Sequence, residues 1–184
     1  MMTRRFHVTL ILAAAALSLA ACGQADTTAG SAGQQPATAA SSKVDASFIN
    51  TAGRLGLAEA RLAQLVATKA ADRATRDFAT KVAADHATVD PQLAALAQDQ
   101  GMAPVSDMDA AHETLYRQLQ TLRGPAIDRA YMTGQLRDLT MLIEAYQSEA
   151  DSGKIPQVRS FAQQYLPMMQ EHLQLALAVP AAAP

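Results

Sequence analysis

The sequence predicts an all-α protein whose folded part is an antiparallel four-helix bundle. Three observations support this fold class. Alanine, the best helix former, is the most frequent residue, whereas aromatic residues make up only 4% of the chain and Trp is absent. Apolar residues recur in alternating steps of three and four. Short connections join the long helices in pairs, which makes the partners of each pair antiparallel. This composition excludes an all-β protein.

The first 21 residues predict a signal peptide. Arg4 and Arg5 precede an uncharged, mainly apolar run over residues 8–21, which is about 14 residues and shorter than the ~20 that span a bilayer. The run ends in Leu19-Ala20-Ala21-Cys22, which resembles the lipobox of bacterial lipoproteins, where the Cys is lipidated and becomes the new N-terminus. Cys22 is the only Cys, so it has no disulfide partner within the chain. The alternative is a plain secretory signal.

These residues predict a protein of the bacterial cell envelope, anchored in membrane lipid through acylated Cys22. By resemblance to enterobacterial sorting rules, Gly23 favours the outer membrane with the domain facing the periplasm. Residues 22–44 are rich in Gly, Ser, Thr, Gln and Ala and predict a flexible tether. The folded domain is predicted over residues 45–179 and a loose tail over residues 180–184.

The first predicted hairpin contains helices over about residues 45–70 and 72–100. Asp45 and Asp72 are the expected N-caps, and Gly101 follows the second helix. Pro91 is expected to bend or divide that helix, since it lacks the amide hydrogen that a helix interior needs.

The second predicted hairpin contains helices over about residues 126–151 and 156–179, with a kink expected at Pro167. The link between the hairpins is long. It contains a short helix over about residues 107–122 and ends at an Arg-Gly-Pro break, after which the next helix begins.

Three polar residues interrupt the apolar faces of the long helices. Glu59, His86 and His172 stand where the periodicity places core residues, and counting from the turns puts all three near mid-bundle, together with Leu139. Carboxylate and imidazole suit Fe, Zn, Mn or Cu, so these three residues are candidate metal ligands. The alternatives are a hydrogen-bonded Glu–His pair with a purely structural role, or a Glu59 at the edge of the core.

Acidic neighbours are candidates for orienting such ligands. Asp85, Asp138 and Glu171 adjoin mid-level positions, and a metal-bound His commonly donates its other N–H to a carboxylate. Alternatively, all three are solvated surface acids, and His112 on the short helix is expected to be exposed. The sequence contains no complete catalytic constellation, and its net charge of −2 gives no basis for nucleic-acid binding.

Three segments carry a family resemblance: residues 56–97, 127–139 and 161–173. They contain, in order, Gly-Leu-Ala-Glu, Asp-His, Asp-Arg-Ala-Tyr and Leu-Pro-x-x-x-Glu-His-Leu. This ordered set resembles the bacterial domain of unknown function DUF4142, which implies a ferritin-like helical fold in an exported or envelope-anchored protein. The family usually has Asp-His where this chain has Asp138-Leu139, which implies that one ligand of any family metal site is absent here.

The first hypothesis for function is therefore a non-enzymatic envelope lipoprotein that displays a ferritin-like bundle with a binding or structural role. The alternative is a ferritin-like protein that binds a transition metal through Glu59, His86 and His172. The sequence identifies neither a protein partner nor an oligomeric state.

Overall fold

The computed structural model describes residues 42–180, and all five elements within them are α-helices. The predicted signal peptide, Cys22 and most of the predicted tether lie outside the described residues, as do residues 181–184. None of the described helices combines the length and the hydropathy of a membrane-spanning segment. The helices are α1 (Lys43–Lys69), α2 (Arg73–Asp99), α3 (Ala110–Thr121), α4 (Pro125–Ser152) and α5 (Pro156–Ala178).

Side-chain caps fix the starts of α1, α2 and α3, and one of these caps differs from the sequence prediction. Asp72 caps α2 as predicted, accepting a hydrogen bond from the Thr75 amide at 2.8 Å. The prediction of Asp45 as the cap of α1 is wrong, because Ser42 occupies that position and α1 begins at Lys43. Asp45 lies in the first turn and is fully buried.

Both internal prolines are accommodated without dividing their helices. Helix α2 runs unbroken through Pro91, and α5 runs unbroken through Pro167. A proline removes the hydrogen bond to the carbonyl four residues earlier. Those carbonyls belong to Ala87 and Gln163, both on exposed positions, where water can satisfy them.

Two buried aspartates tie the ends of the bundle together. Asp45 on α1 accepts hydrogen bonds from the backbone amides of Lys154 and Ile155, at 3.0 and 2.8 Å, where α5 begins. Asp128 in the first turn of α4 accepts from the amides of Ala71 and Asp72, both at 3.0 Å, in the turn between α1 and α2. The start of α1 therefore lies beside the end of α4, and the end of α1 lies beside the start of α4. These two helices are antiparallel.

The connectivity follows from these contacts. Helix α1 packs on α2 and α4, and α5 packs on α4 and α2, which closes a four-helix bundle. Because α1 is antiparallel to both α2 and α4, the last two run in the same direction. The link between them therefore returns along the length of the bundle and carries α3 with it. One such crossover connection is typical of ferritin-like folds.

The apolar core has two parts with a polar layer between them. One cluster surrounds Phe48, Tyr146 and Phe161, and the other surrounds Leu62, Phe78 and Tyr131. Along α1, α2 and α5, the boundary between the clusters falls at the three predicted polar residues. One helical turn before each of these residues lies a member of one cluster, and one turn after it lies a member of the other cluster. The flanking pairs are Leu55 and Leu62 for Glu59, Val82 and Val89 for His86, and Met169 and Ala176 for His172.

Candidate metal centre

The three polar residues predicted at mid-bundle level come together in the core. Glu59 on α1, His86 on α2 and His172 on α5 are 0%, 1% and 0% exposed. Each offers one ligand atom, and these three atoms lie within 4.8 Å of one another. The two imidazole rings are tilted against each other with centroids 6.1 Å apart.

Both ring nitrogens of His86 face carboxylates. Nε2 lies 3.0 Å from Oε2 of Glu59, and Nδ1 lies 2.9 Å from Oδ1 of Asp90, one turn further along α2. Burial acts to lower the pKa of His86, but the hydrogen bonds to Asp90 and Glu59 outweigh it and raise this pKa to about 10. Gly56 makes room for the arrangement, since a Cβ there would lie 2.9 Å from Oδ1 of Asp90 and 3.4 Å from Nδ1 of His86.

His172 is oriented by a carboxylate from a neighbouring helix. Its Nε2 lies 2.7 Å from Oδ2 of Asp85 on α2. Lys81 contacts the same oxygen at 3.0 Å and Oε1 of Glu171 at 3.4 Å. Burial opposes ionisation of Asp85, but its bonds to His172 and Lys81 hold the pKa of the carboxyl below its usual value. The Nδ1 atom of His172 is buried and has no hydrogen-bond partner among residues 42–180.

Helix α4 contributes uncharged side chains to the fourth side of this layer. Two contacts relate the levels of α1 and α4: Asp45 lies near Glu149 at one end of the bundle, and Ala71 contacts Asp128 at the other. Interpolation between these two contacts places Glu59 at the level of about residue 138 of α4. Leu139 lies at that level, as predicted, and is fully buried. It offers the layer no ligand atom.

Two polar residues precede Leu139 on the same helix. Tyr131 and Gln135 are one turn apart and both are 0% exposed. Their polar side-chain atoms are buried, and within the described part of the chain they have no hydrogen-bond partner; the same holds for Oε1 of Glu59. Burial, followed by the charge of Glu59, raises the pKa of Tyr131 well above its ordinary value, so its hydroxyl remains a neutral donor.

A second buried histidine cluster lies between α3 and α4. The prediction that His112 is exposed is wrong, since this residue is only 4% exposed. Its Nε2 lies 3.1 Å from Oδ2 of Asp138, and its Nδ1 lies 2.9 Å from Oδ2 of Asp109. Arg137 holds the other oxygen of Asp138 at 3.0 Å. The short helix is therefore fastened to the bundle by a buried imidazole between two carboxylates.

The acidic residues predicted around the site are used in three different ways. Asp85 does orient a central histidine, but the histidine is His172 on α5 and not its sequence neighbour His86. Asp138 serves His112 and not the central layer. The side chain of Glu171 is 55% exposed and contacts only Lys81 among the described salt bridges. Asp90 was not predicted, although its position four residues after His86 is a spacing that brings side chains together on a helix.

An apolar cleft of about 240 Å³ reaches Asp90 from the surface between α1, α2 and the segment that follows α2. Leu57, Leu93 and Val105 are among the residues that line it. The Asp90 side chain is 30% exposed. The carboxylate that supports His86 therefore faces the protein surface, whereas Glu59 and the two imidazoles do not.

The donor set fits a transition-metal ion. Two imidazoles and one carboxylate are ligands that Zn²⁺ and Fe²⁺ accept in proteins. Ligand atoms around such an ion lie about 3 to 4 Å apart when the bonds are ~2.1 Å long; here Oε2 of Glu59 and Nε2 of His86 are 3.0 Å apart, and the three ligand atoms lie within 4.8 Å of one another. Oε1 of Glu59 and Nδ1 of His172 are buried atoms with unused coordinating capacity. A carboxylate on the far nitrogen of each histidine is the usual support for a metal-bound imidazole.

Comparisons with known proteins identify the family. Residues 30–179 match the profile of the domain of unknown function DUF4142, so the chain belongs to that family, as its motifs predicted. A crystal structure of a DUF305 fragment from Deinococcus radiodurans is similar, with a TM-score of 0.64 and 15% sequence identity. The similarity covers 74% of this chain and 95% of the fragment, and at this identity it shows the fold alone. No curated protein matches the chain.

Proposed function

We propose that this member of the DUF4142 family binds one divalent transition-metal ion in the core of its bundle. The ligands are a carboxylate oxygen of Glu59, Nε2 of His86 and Nδ1 of His172. One observation carries the proposal: three buried ligand atoms from three helices lie within 4.8 Å of one another. In addition, each histidine has a carboxylate at its other ring nitrogen, Asp90 for His86 and Asp85 for His172.

A purely structural role accounts for this layer less well. A Glu59–His86 ion pair needs only these two residues and Asp90. It leaves unexplained why His172 is fully buried with Nδ1 unpartnered in the described chain and with its Nε2 on Asp85. Burying a polar atom without a partner costs about 1–3 kcal/mol. A metal ion bound at Nδ1 would remove that cost.

The donor set favours one ion over two. Bundle proteins with two metal ions use a Glu-x-x-His pair on two helices and a further Glu on each of the other two. Here Ala83 and Met169 stand three residues before the central histidines, and Leu139 lies at the level of the layer on α4. Three protein ligands leave at least one coordination position open, which is the arrangement of metal sites that bind exogenous molecules. The ion would supply Lewis acidity there.

Metal content measured on the full chain tests this proposal. The purified protein is stripped with chelator, reconstituted separately with Zn²⁺, Fe²⁺, Mn²⁺ and Cu²⁺, and examined by elemental analysis after removal of free metal. We expect close to one ion per chain for the wild type and a large loss for His172→Asn. His112→Asn is a matched control, because His112 is also buried between carboxylates but lies outside the ligand set.

Three results would overturn the proposal. No metal retained by the folded wild type would leave the layer as a buried ion pair with polar neighbours. Two ions per chain would contradict the mononuclear site. Equal loss in the two histidine variants, with helix content unchanged by circular dichroism, would show that His172 is not a specific ligand.

We further propose that the domain is carried by an envelope lipoprotein, anchored through acylated Cys22 and facing the periplasm from the outer membrane. The support is the segment Leu19-Ala20-Ala21-Cys22 after a short apolar run, with no other Cys in the chain. Each buried methylene of an acyl chain contributes ~0.8 kcal/mol, and a single chain binds a membrane only weakly and reversibly. Stable anchoring therefore needs more than one acyl chain. Between the anchor and α1, residues 23–42 give the domain reach from the membrane surface.

Cys22→Ser tests the anchor without touching the described domain. In a Gram-negative host, we expect the wild type in the outer-membrane fraction with incorporated fatty-acid label, and the variant in the soluble fraction without label. Equal label in both proteins, or an unlabelled wild type, would contradict lipidation at Cys22. Labelled wild type in the inner-membrane fraction would contradict the outer-membrane location but not the lipidation of Cys22.

A further inference from the structure

Tyr131 and Gln135 form a buried polar surface on α4 that the proposed metal ligands do not use. Their hydroxyl and amide atoms lack hydrogen-bond partners among residues 42–180, although both side chains are 0% exposed. Three buried polar atoms without partners cost several kcal/mol together, at about 1–3 kcal/mol each. Such groups call for a bound partner or another specific reason.

Their position relates them to the central layer. The ring of Phe78 lies 6.1 Å from that of Tyr131 and 6.4 Å from that of His172, so it contacts both. Gln135 follows Tyr131 by one turn on the same face of α4, toward the level of Glu59. The charge of Glu59 acts on Tyr131, and Glu59 and His172 each have a buried atom without a partner among the described residues, Oε1 and Nδ1 respectively.

We infer that Tyr131 and Gln135 bind a small hydrogen-bond-accepting ligand, of one to three heavy atoms, that occupies the open position of the ion on its α4 side. The inference rests on the proposed metal site. The Tyr131 hydroxyl and the Gln135 amide N–H donate to the ligand, while Leu139 limits its size. All three side chains are buried, which excludes larger ligands that need an open cleft.

Azide is a suitable probe, because it is small and anionic and changes the visible spectrum of protein-bound Co²⁺. The full chain is loaded with Co²⁺ and titrated with azide, for the wild type and for Tyr131→Phe and Gln135→Leu. Each variant removes polar atoms and keeps the approximate volume. We expect azide to bind about tenfold more weakly in each variant, the loss of one hydrogen bond. The Co²⁺ affinity should stay within about threefold.

Two controls separate this effect from a general disturbance of the fold. Tyr116→Phe on α3 and Gln147→Leu on the exposed side of α4 make the same chemical changes away from the layer, and we expect them to leave azide affinity unchanged. Without metal, Tyr131→Phe and Gln135→Leu should be as stable as the wild type or more stable, because they remove buried polar atoms that have no protein partner.

The outcomes distinguish this inference from the metal proposal. If the wild type binds no Co²⁺, the metal proposal fails and this inference fails with it. Two outcomes with Co²⁺ bound would overturn only the inference about Tyr131 and Gln135: azide leaves the Co²⁺ spectrum unchanged, or azide binds the variants and the wild type with equal affinity. If the variants lose Co²⁺ itself, Tyr131 or Gln135 is a ligand and the inference is wrong in that form. A marked loss of stability in the metal-free variants would assign these residues a structural role instead.

Discussion

Replacing Glu59 by Ala has a calculable effect on stability. Glu59 is 0% exposed, its partner His86 is 1% exposed, and their Oε2 and Nε2 atoms lie 3.0 Å apart. Removing one partner of a buried ion pair costs about 3–5 kcal/mol, and here it leaves Nε2 of His86 buried without a partner while Nδ1 keeps its contact with Asp90. For a chain of this length, 1 kcal/mol lowers the melting temperature by about 2–4 °C. We therefore expect metal-free Glu59→Ala to melt about 6–20 °C below the wild type.

The assay is thermal unfolding followed by circular dichroism, with and without metal. Glu171→Ala is the matched control, because the Glu171 side chain is 55% exposed and contacts Lys81 at 3.4 Å; such surface pairs contribute about 0–1 kcal/mol. A metal at one hundred times its dissociation constant stabilises the wild type by about 2.7 kcal/mol. We expect this gain in the control and not in Glu59→Ala.

Two results would refute the reasoning. If Glu59→Ala costs no more than Glu171→Ala, the Glu59–His86 contact is not a buried ion pair. If the metal raises the melting temperature of Glu59→Ala as much as that of the wild type, then Glu59 is not a ligand, whatever its role in stability.

Three further predictions concern the surroundings of the site. Gly56→Ala gains about 1 kcal/mol of helix propensity but weakens the contact between Asp90 and the buried His86, so we expect no net gain in metal-free stability. The added Cβ displaces the Asp90 carboxylate, so calorimetric metal affinity should fall, and unchanged affinity would contradict this role of Gly56. Asp85→Asn and Asp90→Asn should each weaken metal binding by about 10–100-fold, and equal affinity in all three proteins would refute their orienting role. Burial, followed by the charge of Asp45, raises the pKa of Glu149 from 4.5 to about 7. The contribution of Glu149 to the free energy of unfolding is therefore greatest below pH 4.5 and is lost as the pH rises through 7. In urea titrations, the stability of the wild type relative to Glu149→Gln should therefore decline between about pH 4.5 and 7, and a constant difference would contradict the raised pKa.

The fold was predictable because its determinants are local. Apolar spacing identifies the helices, and the short turns make each pair antiparallel. The helix boundaries were less predictable. Ser42 lies at the end of a Ser- and Ala-rich segment that has no apolar period, so nothing in the pattern separates it from Asp45 as a cap. The actual role of Asp45, accepting from the amides of Lys154 and Ile155, depends on a contact across 110 residues.

The candidate site was predictable where a polar residue interrupts an apolar face. Glu59, His86 and His172 were found in this way. Their supporting carboxylates were not all found, because adjacency in sequence is a poor guide to adjacency in a bundle. Asp85 adjoins His86 in the chain yet orients His172, since neighbouring helical residues point about 100° apart. His112 was misjudged because the sequence does not show that α3 packs onto α4.

The asymmetry of the polar layer is the strongest reason to look for chemistry in this bundle. Three helices direct charged or ligating side chains into the core, and α4 directs Tyr131, Gln135 and Leu139. If stability alone governed this layer, apolar side chains of similar volume would serve as well, because replacing buried ion pairs by hydrophobic residues is often neutral or stabilising. A Glu–His pair explains two of these residues. A bound metal ion would account for both histidines and their carboxylates, and a small ligand on that ion would account for the unpartnered polar atoms of Tyr131 and Gln135.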